Sequence, residues 1–187
     1  STINILSNMA IKKLEKDTVA TKDYITKISD NSSRIMEAMD DIVWSINPLN
    51  DTMPKVIARM KEFAGIVLEP KDIEYVFLVD DHVKDIAFDM ESKREVYLIF
   101  KETMNNLAKY SNCTKVMVSM SLKKKIFTLR VVDNGVGFNP DAPELQSTQR
   151  GNGMRNMQKR AEHIHGKLKI LSAPDQGATV ELIIPIT

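Results

Sequence analysis

The residues with the most capacity for chemistry fall into three groups along the chain. The first is Glu102, Asn106, Lys109 and Tyr110, spaced i, i+4, i+7 and i+8, so that a helix would carry them on one polar stripe. A carboxylate, an amide and an ammonium beside an apolar face are groups that a magnesium-bound polyphosphate requires: the amide oxygen can enter the metal shell, and lysine neutralises phosphate charge. The second is Asp133-Asn134-Gly135-Val136-Gly137-Phe138, directly behind the alternating run at 127–132. It reads as a strand delivering a carboxylate to a glycine-loosened loop. The third is Gly151-Asn152-Gly153, read as a turn opening a helix at Met154, where free N–H groups and the dipole attract an anion. Singly, each also has an ordinary meaning: a solvated helix face, a plain turn, a flexible joint.

The elements that must position these groups follow from periodicity. A helix over 91–110 places Val96, Ile99, Phe100, Thr103 and Leu107 beside the polar stripe, facing a sheet. Strands are expected at 73–79, 115–122, 126–132, 167–171 and 178–184, with a tight turn at Lys123-Lys124-Lys125. A further helix over 154–165 ends at Gly166 as its C-cap. Residues 139–150, polar and structureless between two glycine segments, read as a lid. Strands and helices without regular βαβ alternation imply an α+β, two-layer α/β sandwich with helices over one face of a mixed sheet.

The N-terminal part has another character. Ile3, Leu6, Met9 and Leu14 have near-helical spacing, and a polar break at 17–22 offers Thr21 as a cap. Ile25, Ile28, Ser32, Ile35, Met39, Ile42 and Ile46 then alternate steps of three and four, the seam of a coiled coil or helical bundle. Two helices cannot close a four-helix core alone, so a second copy of the hairpin is the economical partner. Asn47-Pro48 ends the seam. The expected division is a helical dimerisation hairpin at 1–50 and a second domain at 51–187, whose first helix carries Pro54 in its opening turn.

Composition narrows the function. With 26 basic and 25 acidic residues among 187, no global field argues for nucleic acid. Single Cys113 excludes an internal disulfide and reads as a buried small hydrophobe. Three histidines without a cysteine pair argue against a metal cluster. Neither a targeting segment nor an apolar run of membrane-spanning length is present. There is no Walker-type phosphate loop, no dinucleotide fingerprint and no H-R-D or D-F-G set. Beginning at Ser1 inside an apolar-periodic pattern, the sequence reads as a piece of a longer polypeptide.

Taken together, Glu102-x-x-x-Asn106-x-x-Lys109-Tyr110, Asp133-x-Gly135-x-Gly137 and Gly151-x-Gly153 resemble the N box and two glycine boxes of the GHKL ATPases, in the same order. Within that group the chain is most similar to the catalytic ATP-binding domain of bacterial sensor histidine kinases. The resemblance runs from about residue 50 to the end, and the stretch Asp40-Asp41-Ile42-Val43-Trp44-Ser45-Ile46-Asn47-Pro48 resembles their dimerisation and phosphotransfer helices.

That resemblance implies roles. ATP and Mg2+ are the implied ligands, with Asn106 on the metal and Lys109, with Tyr110, at the phosphates. Asp133 accepts from the adenine amino group, Gly135 and Gly137 give the nucleotide room, and Gly151 and Gly153 lie near the phosphates. Thr179, in Gly177-Ala178-Thr179, matches the family's Gly-Thr region and joins the adenine contact through water. Glu102 matches the catalytic acid of hydrolysing relatives. The implied reaction moves the ATP γ-phosphoryl to a histidine and on to an aspartate of a response regulator. A homodimer, a cytoplasmic location and a membrane-anchored parent are implied, with no nucleic acid bound.

Departures from the pattern matter too. None of His82, His163 and His165 falls on the hairpin, so the phosphoacceptor is expected upstream of Ser1, and the 187 residues are expected not to phosphorylate themselves. Asn152 replaces the usual apolar residue of the second glycine box, and no phenylalanine-rich box stands in the lid. Two other readings stay open: a GHKL ATPase whose hydrolysis drives a conformational switch, and a degenerate dimer scaffold with an idle site.

Overall fold

The computed structural model describes residues 2–14, 16–46, 52–140, 142 and 149–186. The chain separates into two compact units, Ser1–Pro48 and Leu49–Thr187.

The first unit is a helical hairpin of α1 (Thr2–Lys13) packed on α2 (Thr18–Ile46). The link is shorter than the polar break at 17–22 implied, and the cap is Asp17 rather than Thr21. Asp17 Oδ1 accepts from the Ala20 amide at 2.9 Å, while the Thr21 hydroxyl donates back to the Asp17 carbonyl. A carboxylate accepts that N-terminal amide well, and the bond holds the Asp17 carboxyl below its usual range. Of the 3.5-residue seam, Ile25, Ile35 and Met39 are more than half exposed in the single chain. The side chains of Ile42 and Ile46 lie outside the described set.

The second unit is a two-layer α+β sandwich. Helix α3 (Met53–Leu68) starts with proline in its first turn and is followed by a 3-10 turn, Glu69–Lys71, and β1 (Glu74–Val79). A second 3-10 turn, Asp81–Asp85, leads to α4 (Met90–Tyr110), capped by Asp89, whose Oδ1 accepts from the Ser92 amide at 2.7 Å. The hairpin β2 (Lys115–Lys123) and β3 (Ile126–Asp133) follows, then α5 (Gln149–His163), β4 (Lys167–Ser172) and β5 (Ala178–Pro185).

The sheet order is β1-β2-β3-β5-β4, with only β1 and β2 parallel. Alternation sets the faces. Val116, Val118 and Met120 on β2, Phe127, Leu129 and Val131 on β3, and Leu182 and Ile184 on β5 are buried, while the residues between them are more exposed. The helices cover that face: Phe77 on β1 packs on Phe100 of α4 with ring centroids 6.0 Å apart. Within the helical layer, Arg59 of α3 lies over the Tyr97 ring of α4 at 4.5 Å.

Two turns resolve differently from expectation. In the β2–β3 hairpin, Lys123 belongs to the strand, and Lys124 and Lys125 turn with φ of 50° and 61°. Positive φ at both central positions suits the right-handed twist of the ribbon, although asparagine and glycine hold it more cheaply. At the end of α5 the left-handed residue is His165, φ 54°, not Gly166. Gly166 is instead the position where the chain returns under the helix, its amide donating to the Ala161 carbonyl at 2.8 Å. Among the described residues no helix is long and apolar enough to cross a membrane.

Candidate functional site

One end of the sheet brings Val116, Asp133, Ala178 and Ser172 into a single row of paired residues. The C-terminal half of α4 and the first half of α5 lie above it. Between them is an open cleft of about 520 Å³ of empty space, its solvent-filled mouth included. Its walls are mostly apolar, with Leu107, Val131, Met154, Met157, Ile170 and Val180 among them. Asn106 and Asp133 supply polar groups.

Asp133 sits at the floor, 9% exposed, as the last residue of β3. Its Oδ1 accepts from the Gly135 amide at 2.8 Å. A carboxylate has two oxygens and room for several donors, and this bond orients the group.

The glycines after Asp133 make room first for the protein's own backbone, and Gly137 also lines the cleft. A β-carbon on Gly135 would run into the Ser111 carbonyl oxygen, and one on Gly137 into the Ala173 carbonyl oxygen. Gly137 also has φ +60°. The space freed by the missing side chains is thus filled by the protein's own backbone. Val136 N donates to Ser111 O at 2.7 Å, and Asp175 N donates to Val136 O at 2.7 Å. Phe138 N donates to the Ser172 hydroxyl at 2.9 Å, and that hydroxyl donates to Gly177 O at 2.7 Å. The loop is clamped between the end of α4 and the β4–β5 turn, hence preorganised.

On α4, Asn106 Nδ2 donates to Glu102 Oε1 at 3.1 Å. Because the carboxylate accepts, the amide must present its nitrogen there, which leaves Asn106 Oδ1 as the free acceptor of a side chain that lines the cleft. Among the described residues no cluster of three or more His, Cys, Asp or Glu could hold a metal ion by itself. A hard divalent cation held mainly by a ligand's phosphates and water, with one amide oxygen from the protein, fits this donor set.

The other expected site residues are distributed less uniformly. Lys109 and Tyr110 stand exposed at the C-terminal end of α4 and do not line the cleft. Gly151 and Gly153 are not a turn before a helix: α5 already runs from Gln149 and takes both into its first turns. Gly153 is buried, and a β-carbon there would meet Glu102 Oε1, so small size rather than backbone freedom explains that glycine. Thr179 is absent from the lining, whereas its neighbours Ala178 and Val180 are present. Successive strand residues point to opposite faces, which turns the Thr179 side chain away from Asp133. The expected lid at 139–150 falls largely outside the described residues.

Sequence reading passed over several contributors. Ser111 lines the cleft, its hydroxyl donating to Leu107 O at 2.8 Å and accepting from Cys113 N at 3.2 Å. Thr103 and Met157 face each other, with Oγ1 to Sδ at 3.5 Å. Cys113 is buried as expected, and burial pushes its thiol up. None of these carries a local motif that a sequence alone would flag.

Residues 91–187 match the family described as histidine kinase-, DNA gyrase B-, and HSP90-like ATPase. Among curated proteins the chain is 29% identical over 118 residues to the sensor histidine kinase LiaS of Bacillus subtilis, covering 63% of this chain and 30% of that one. It is 34% identical over 104 residues to the sensor protein VraS of Staphylococcus aureus, covering 56% and 29%. The matched stretch therefore spans less than a third of those relatives. Among solved structures, the Acinetobacter baumannii histidine kinase AdeS superposes with a TM-score of 0.69 at 14% identity, covering all of this chain and 96% of that one. A histidine kinase domain from Erythrobacter litoralis EL346 gives 0.64 at 14%, covering 98% and 94%.

Proposed function

Because this chain belongs to the histidine kinase-, DNA gyrase B- and HSP90-like ATPase family, with an ATP-binding domain of the bacterial sensor histidine kinase kind, we propose that its cleft binds Mg-ATP for phosphoryl transfer to a histidine. The observation that carries this reading is the pairing, in one mostly apolar cleft, of the buried Asp133 carboxylate with Asn106, whose amide oxygen is left open by Glu102. Asp133 accepts from the adenine amino group while the apolar walls enclose the base. Asn106 Oδ1 joins the magnesium shell. The bound Mg2+ neutralises charge on the phosphates, as such transfer requires. Lys109 and Tyr110, at the exposed end of α4, meet the phosphate end, and Gly151 and Gly153 line the approach from α5. Glu102 acts through Asn106 by holding its amide, and Thr179 has at most an indirect part.

Transfer of this kind rests on positioning and charge neutralisation rather than on a covalent protein residue. The acceptor is a histidine outside these 187 residues, since none of the three here stands on α1 or α2. The phosphoryl group then passes to an aspartate of a response regulator. Exposed Ile25, Ile35 and Met39 on α2 support pairing of the hairpin with a second copy. The whole belongs on the cytoplasmic side of a membrane-anchored sensor.

Isothermal titration with Mg-ADP and Mg-ATP tests the reading. Saturable binding at one site per chain is expected, weakened about 10- to 100-fold by Asp133→Ala, as for loss of a hydrogen bond to a charged group. Binding unaltered by that substitution overturns the adenine assignment. Steady ATP turnover by the isolated chain would favour a hydrolytic conformational switch instead.

A further inference from the structure

Asn134, between the carboxylate and the first glycine, is solvent-exposed and outside the cleft lining, yet its hydrogen bonding is unusually complete. Its Oδ1 accepts from Thr114 N at 3.0 Å and from Lys115 N at 2.9 Å. Its Nδ2 donates to Thr114 Oγ1 at 3.0 Å, and its own amide donates to Lys115 O at 3.3 Å. The ladder between β2 and β3 ends with Val116 opposite Asp133. One residue later the main chain must leave the sheet so that Val136 can reach Ser111. The Asn134 side chain therefore supplies the acceptor that a continuing strand would have offered to the start of β2.

We propose that Asn134 is a positioning residue for nucleotide binding: it ends the sheet with a side-chain rung and thereby sets the orientation of the Asp133 carboxylate. This rests on the assignment of Asp133 to the base given above. The chain of causes is short. The rung pins the Cα of residue 134; the pinned Cα directs the Gly135 amide back onto Asp133 Oδ1; that bond fixes the direction of a carboxylate that lines the cleft. Without the rung, residue 134 is free to shift, and the carboxylate loses its fixed direction while remaining present.

Aspartate at 134 should serve nearly as well. It keeps an acceptor oxygen for both amides, and the Thr114 hydroxyl can rotate to donate where it formerly accepted. A side chain without an acceptor should not serve.

The test measures Mg-ADP affinity by titration for Asn134→Ala, Asn134→Asp and Asp133→Asn, and for the two doubles that combine each 134 change with Asp133→Asn. Expected are about 10-fold weakening for Asn134→Ala, the size of one mediated hydrogen bond, and affinity within about 3-fold of the parent for Asn134→Asp. Adding Asn134→Ala to Asp133→Asn should cost clearly less than it costs alone, because the carboxylate it positions has gone. Faster hydrogen exchange at the Gly135 amide in Asn134→Ala, beside unchanged exchange in the middle of β3, completes the expected pattern. Full, undiminished additivity in the cycle, or parental affinity in Asn134→Ala, overturns the proposal. Should Asn134→Ala not fold, Thr114→Val, which removes only the Nδ2 acceptor, must give a smaller loss in the same direction. Parental affinity in Asp133→Asn would instead overturn the base assignment itself.

Discussion

Glu102 and Asn106, one turn apart on α4, are joined by a 3.1 Å hydrogen bond, and the accepting Glu102 oxygen occupies the space a side chain on Gly153 would need. One carboxylate thus orients the amide lining the cleft and also sets how closely the first turns of α5 approach α4. The N box and the second glycine box meet through this atom.

Gly153→Ala should therefore act through Glu102. Alanine favours the helix by about 1 kcal/mol over glycine, but its methyl group must displace the carboxylate and break the bond to Asn106. We expect Mg-ADP affinity to fall several-fold without loss of helix content by circular dichroism. Adding Glu102→Ala should relieve the clash, so that the double variant is more stable thermally than the sum of the two single changes allows. Strict additivity in melting temperature would count against the contact.

Gly137→Ala places a side chain at φ +60° against the Ala173 carbonyl oxygen. Backbone cannot swing aside as a long side chain can, and a destabilisation of roughly 1–3 kcal/mol is expected for such strain. Urea unfolding of the chain checks it. A midpoint equal to the parent's would mean that the loop and the β4–β5 turn are not clamped.

Arg160 of α5 and Glu95 of α4 form an ion pair at 2.6 Å in which the Glu95 side chain is only 8% exposed and Arg160 37%. Removing the cation strands a buried carboxylate, whereas the pair's solvent-facing half is partly screened. Arg160→Ala should cost roughly 2 kcal/mol, below the full range for a wholly buried pair. Lys84→Ala, which breaks a fully solvated pair of similar length with Asp81, serves as the control and should change the unfolding midpoint little or not at all.

His163 Nε2 donates to Glu91 Oε1 at 2.7 Å, and this hydrogen bond, with the nearby charge of Glu91 and then Glu95, raises the imidazolium pKa above its usual value. Since the folded value lies above the unfolded one, near 6.5, the stabilisation is complete below the unfolded pKa and disappears as pH climbs through the folded one. The pair is exposed, so the effect is small. Thermal melts from pH 5.5 upward should show the parent losing stability relative to His163→Asn as pH passes above about 6.5. Parallel curves would mean that the pair contributes nothing.

Much of this molecule is written locally. The 3.5-residue seam of α2 and the alternation of the hairpin strands each depend on neighbours close in sequence, and a pattern of side chains is enough to reveal them. Two positions depend on geometry that the local pattern does not carry. Thr179 and Ala178 differ by one position, and in a strand one position is the difference between the two faces; only the pairing of Ala178 with Asp133 shows which side chain points to the cleft. Asp17 displaced Thr21 as the cap because a polar break contains several residues able to cap, and helix geometry selects among them.

What the sequence determined by itself was the order of the chemistry: an acid–amide stripe, a strand ending in Asp133, then two glycine segments, in a chain with an apolar period for every element. What only the tertiary structure decided was the meaning of the glycines. Gly135 and Gly137 make way for carbonyls of Ser111 and Ala173, and Gly153 for the carboxylate of Glu102. Those partners lie on other elements. A missing side chain announces that something comes close, and the identity of what comes close is set by which distant backbone the sheet and helices bring to the same place.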